Sequence, residues 1–121
     1  MPKSKNGARS FAPPAQSRID ALMSAKNPAI KCANLDEVRA NIDRLDREIV
    51  RMLAERGQYV VQAAKFKRTE ADVHAPARVE QVVANVRKYA EEFGAPADVV
   101  ERGYRVLIEG FTQKELAAHR A

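Results

Sequence analysis

The chain has 121 residues, 45% of them hydrophobic and 6% aromatic, with a formal charge of +5, which is the size and composition of one small domain with a modest core. No apolar run reaches the roughly 18 residues of a membrane span, and the first residues lack the apolar stretch of a secretory leader. A single cysteine, Cys32, excludes an internal disulfide, and no Cys/His cluster has metal-ligand spacing, so neither metal nor cofactor is expected.

Residues 1–34 hold all of the net charge. Lys3, Lys5, Arg9, Arg18, Lys26 and Lys31 stand there against Asp20 alone, whereas acids and bases balance from residue 35 onward. This stretch is rich in Pro, Ser and Ala and reads as a mostly disordered extension, with a short helix near "AQSRIDALMSAK". A nucleic-acid-binding domain would carry its excess of Lys and Arg on the folded part. The extension is therefore read as solubilising, with a nucleic-acid-binding arm as the competing reading. The sequence places the protein in the cytoplasm, since the start has little of the amphipathic pattern of a transit sequence.

From Leu35 the residues Val38, Ile42, Leu45, Ile49, Leu53, Val60 and Ala63 recur at helical spacing. Asn34 supplies a cap, Asp36 and Glu37 sit in the first turn, and no proline interrupts the pattern before Lys67. Gly57 weakens the middle slightly. A helix from Leu35 to Lys67 would be a rod of roughly 50 Å, too long for a domain about 30 Å across.

After the polar turn "KRTEADVHA", Pro76 opens a second helix through Val79, Val82, Val83, Val86, Ala90 and Phe93, with Gly94 as its C-cap. Pro96 opens a third, striped by Val100, Tyr104, Leu107, Ile108, Phe111 and Leu116. No strand pattern competes. The fold class is all-α: three helices per chain, one very long, whose apolar faces are buried in an intertwined two-fold helical homodimer over residues 35–121.

Nucleophilic catalysis lacks support: neither His74 nor His119 lies near a Ser or Cys in a suitable pattern, and the glycines form no phosphate loop. The informative residues are charges on or beside the apolar stripes. Arg56 and Lys67 are about three turns apart, so a continuous helix would project both from one face about 16 Å apart along the axis. Two cations leaning together can hold a small dianion. Arg39 lies roughly 25 Å from Arg56 along the same rod and can join the site only from a partner chain. Arg78, in the first turn of the second helix, is badly placed for the helix dipole unless something negative faces it. Glu115 falls on the third stripe, four residues after Phe111. The set is four cations and one carboxyl group in a helical bundle.

These residues match a known pattern. Over Leu35 to Ala118 the chain resembles the all-helical chorismate mutases and the related isochorismate pyruvate lyases. The signature is "VRANIDRLDREIVRMLAERGQYVVQAAKFK", in which the first arginine, the pair Leu45–Asp46, "L-x-E-R" at Leu53 to Arg56 and the closing lysine are in register. The resemblance implies an intertwined dimer whose active sites mix both subunits. It makes Arg39 the cation from the other subunit and Arg56 a binder of a substrate carboxylate. Lys67 becomes the donor to the ether oxygen of the enolpyruvyl group, Arg78 the arginine after the loop, and Glu115 the position held by glutamine or glutamate. Mutases generally place a glutamate after the loop arginine, where it binds the ring hydroxyl; here that residue is Val79, and "APARV" resembles the lyase loop. Those lyases usually have glutamine where this chain has Glu115.

Both reactions are pericyclic and need no covalent intermediate. The residues would hold a flexible dicarboxylate in its reactive conformation and stabilise charge on the ether oxygen. A glutamate donates only when protonated, so activity is expected to fall as pH rises. The expected activity is chorismate to prephenate, feeding phenylalanine and tyrosine; the alternative is an isochorismate pyruvate lyase giving salicylate and pyruvate. A third reading, from a different class, is a non-catalytic helical dimer with a nucleic-acid-binding tail.

Overall fold

The computed structural model describes residues 29–121; the proposed disordered extension and its short helix fall almost wholly outside them. Among the described residues the regular structure is entirely helical. Helix α1 spans Leu35–Ala63, α3 spans Pro76–Phe93 and α4 spans Ala97–Arg120, which are the three helices expected from the apolar periodicity. A one-turn helix, α2, Glu70–His74, lies within the polar turn.

The start of α1 follows from its cap: the Asn34 side chain accepts from the Glu37 amide at 2.9 Å, while Glu37 reaches back to the Ala33 amide. Its end differs from the expectation of a helix continuing to Lys67. The α-helix stops at Ala63 and tightens into a 3₁₀ turn, Ala64–Phe66, after which Lys67 is extended at φ −102°, ψ 140°. The rod is therefore about 44 Å long. Tertiary packing ends it: Ala64 is buried and the turn packs on α4. A second nucleus follows at once. Thr69 and Asp72 form a capping box, with the Thr69 hydroxyl accepting from the Asp72 amide and the Asp72 carboxylate from the Thr69 amide.

Between α2 and α3 a single residue, Ala75, turns the chain in the left-handed region at φ 38°, and Pro76 then fits the first helical position. Gly94, at φ 75°, closes α3 as expected. The short connection folds α4 back antiparallel to α3. On the outer surface Arg105 forks onto Glu80 at 3.0 Å and also pairs with Glu101, which accepts from Arg87 at 2.6 Å.

The core is small: Val73 of α2, Val83, Val86 and Ala90 of α3, and Leu116 of α4, with Ala64 at the turn. Helix α1 contributes no buried residue. The first half of its stripe lies open in the single chain, with Ile42 and Ile49 each 50% exposed, while Leu53, Val60 and Ala63 are half-buried. Where α1 does meet α4, Gly57 permits the approach: a Cβ there would stand 2.8 Å from Cε1 of Phe111. The glycine read as a weak point of the helix is the place where an aromatic ring sits against its backbone.

Candidate active site

A cavity of about 330 Å³ opens between the second half of α1, the start of α3 and the second half of α4. Five of the six residues singled out in the sequence line or bound it: Arg56, Lys67, Arg78, Val79 and Glu115. Arg39 does not; it is exposed near the start of α1.

Arg56 is half-buried, and its guanidinium carbon lies 5.7 Å from the ring centroids of both Tyr104 and Phe111. Aromatic faces attract the cation but leave N–H groups unmet. Nη1 is buried and has no hydrogen-bond partner among the described residues, and the side chain lines the cavity, where a guanidinium suits an anion.

Lys67 and Glu115 meet because α1 ends early. Once the 3₁₀ turn carries the chain off the helix axis, the lysine no longer shares a helix face with Arg56, and the expected spacing along one helix gives way to a convergence from two segments. Lys67 Nζ lies 2.7 Å from Glu115 Oε2. The approach is an ion pair without good hydrogen-bond alignment, since Oε2 has no aligned donor. Glu115 is the buried charged residue among those described, at 4% exposure, and a buried carboxyl group needs such a partner.

Arg78 is exposed at the mouth, where Nη1 donates to Gln81 Oε1 at 2.6 Å. No acidic residue lies in the first turn of α3, so the misfit with the helix dipole stands, and the neighbour of Arg78 is a neutral amide. Val79 is half-buried in the wall. The arrangement can grip one carboxylate at Arg56, offer a cation at the mouth, and present an ammonium and a carboxyl group to an atom between them.

Sequence reasoning missed three features. Phe111, read as stripe, faces the Arg56 cation. Thr112 adds a hydroxyl-bearing side chain to the wall. His119, set aside for want of a nucleophile, places Nε2 3.0 Å from the Lys67 carbonyl oxygen; its position four residues after Glu115 was the available signal. Among the described residues no group of His, Cys, Asp and Glu could hold a metal ion, and no helix is long and apolar enough to cross a membrane.

The sequence profile described as chorismate mutase type II matches residues 38–116. The isochorismate pyruvate lyase of Pseudomonas aeruginosa is 35% identical over 85 residues, covering 70% of this chain and 84% of that protein. The T-protein of Enterobacter agglomerans is 32% identical over 84 residues, 68% of this chain but 22% of the relative. The T-protein of Haemophilus influenzae is 35% identical over 68 residues, 55% of this chain and 18% of the relative. The chain thus corresponds to about a fifth of the T-proteins and to most of the lyase.

Proposed function

Because the chain belongs to the chorismate mutase type II family, we propose that it converts chorismate to prephenate, with residues 35–121 as the catalytic domain. The observation that carries this is the convergence of an unpartnered buried Arg56 nitrogen and the Lys67–Glu115 pair on one cavity. Its volume lies at the lower end of the range for small-molecule sites.

In the rearrangement the ether C–O bond breaks as a new C–C bond forms, and negative charge grows on the ether oxygen. Arg56 fixes one carboxylate through its planar fork, which restricts the enolpyruvyl arm to conformers in which the reacting carbons meet. Lys67 turns from Glu115 to the ether oxygen and stabilises its developing charge; a protonated Glu115 donates to the same atom. Arg78 attracts the second carboxylate at the mouth. Arg39 completes the site from a second copy of the chain, whose α1 stripe would cover the exposed one, so the working unit is a homodimer with shared sites. No step calls for a nucleophile. A cytoplasmic location fits a biosynthetic enzyme of this family.

Val79 favours a second reading. An aliphatic wall cannot accept the ring hydroxyl as a glutamate would, and the isochorismate pyruvate lyase aligns over most of its own length. That activity would release pyruvate and salicylate from isochorismate.

Mixing the purified protein with each substrate and following prephenate, salicylate and pyruvate separates the two. Prephenate from chorismate supports the mutase; salicylate and pyruvate from isochorismate alone support the lyase; turnover of neither defeats both. In the same assay Val79→Glu should raise mutase turnover where Val79 limits it. A non-catalytic dimer with a nucleic-acid-binding tail would instead bind nucleic acid salt-sensitively, and lose that binding without residues 1–34.

A further inference from the structure

Lys67 is the one proposed catalytic group whose backbone lies outside an α-helix. It follows the 3₁₀ turn in extended geometry, and its own amide makes only a long 3.4 Å bond to the Ala64 carbonyl. A lysine carries its charge on a flexible four-carbon stem, so the direction of that stem depends on how the peptide beneath it is held. Here the Lys67–Arg68 peptide is gripped on both sides. The Arg68 amide donates to Asp72 Oδ2 at 3.2 Å, and the Lys67 carbonyl faces His119 Nε2 at 3.0 Å.

A carbonyl oxygen only accepts, so Nε2 is the donor, a role that both the Nε2–H tautomer and the imidazolium fill. His119 is half-buried and stands one helical turn after Glu115. The end of α4 therefore holds Lys67 twice, by its ammonium through Glu115 and by its carbonyl through His119. That end is itself tied to α2 by Arg120, which forks onto Glu70 at 2.6 and 3.0 Å.

The two holds differ when substrate arrives. In the proposed mechanism the ammonium leaves Glu115 for the ether oxygen, and the grip on the carbonyl is the tie to α4 that persists. We propose that His119 is a positioning residue, which aims Lys67 at the ether oxygen by fixing the Lys67–Arg68 peptide. This rests on the assignment of Lys67 to that oxygen.

The test compares His119→Phe, which keeps a ring without a donor, with His119→Gln, whose amide N–H can occupy the place of Nε2–H. Misdirecting a transition-state donor should lower kcat of His119→Phe roughly tenfold with KM little changed, and His119→Gln should recover to within about threefold of wild type. The ¹⁵N–¹H signal of Arg68, whose nitrogen shares the peptide with the Lys67 carbonyl, should move in His119→Phe and stay near its wild-type position in His119→Gln. Wild-type kcat in His119→Phe, equal impairment of both variants, or an unmoved Arg68 signal overturns the proposal. If wild type converts neither chorismate nor isochorismate, the catalytic assignment fails on that result, and with it the catalytic role of His119. The Arg68 signal then still decides whether His119 holds the peptide.

Discussion

At the scale of single residues, the cavity is set apart by what its polar groups lack. A buried charged donor without an acceptor costs upwards of 1–3 kcal/mol, and Arg56 Nη1 is in that position. The aromatic rings beside it hold the guanidinium in place without meeting that need. The site is thus poised for an anion before one arrives. Glu115 is the other exceptional residue, a buried carboxyl group with a lysine for company. Where Glu115 assists the reaction by donating a hydrogen bond, Glu115→Gln, whose amide donates, should keep turnover within about threefold of wild type while Glu115→Ala loses it roughly a hundredfold. Equal turnover of the two variants defeats the role.

At the scale of elements, the helices were legible where local chemistry marks them. Asn34, Pro76 and Gly94 each sit at the boundary their chemistry favours. The end of α1 was not, because no proline or glycine marks Ala63; the helix stops where Ala64 meets α4, a contact between residues far apart in the chain. Its consequence reached the site. Lys67 lines the cavity, but the route by which it meets Glu115 needed the turn. The Thr69–Asp72 capping box of α2 was readable and went unread.

Gly57 shows the same limit from the other side. Gly57→Ala should gain about 1 kcal/mol of helix propensity, but the new methyl must displace Phe111 at about 1–3 kcal/mol. Thermal melting should show no net gain in stability, and the displaced ring should loosen Arg56 and lower kcat/KM. A clear rise in Tm with unchanged activity would mean that the ring yields freely. The outer faces of α3 and α4 supply a pH effect. Hydrogen bonds from Arg105 hold Glu80 below the ordinary carboxylate range, and those from Arg105 and Arg87 do the same for Glu101. Depressed carboxylates contribute stability that is complete above their unfolded value, near 4.3, and is lost as pH falls through the lower folded value. Acidification from about pH 5 to 3 should therefore lower the Tm of wild type more than that of Arg105→Gln, whose two glutamates have lost this partner; parallel curves would dismiss the network.

At the scale of the whole molecule, the single chain has a core at one end and an open stripe along the first half of its longest helix. Arg39 stands on that helix away from the cavity, and the proposed dimer would bring a second copy's Arg39 to it. Subunit mixing tests this. Arg39→Ala and Lys67→Ala should each be nearly inactive, whereas in a mixed dimer one site carries both changes and the other neither. Random reassociation of equal amounts should then restore about a quarter of the wild-type activity per chain; no recovery on mixing places Arg39 outside the shared site. The bare stripe has one more consequence. A helix with no fully buried residue in its own chain draws less of its stability from that chain than a core helix does, so in the proposed dimer α1 is held together by mass action. The number of complete sites would then depend on how many copies a cell contains, and dilution alone would act as an inhibitor that occupies no site.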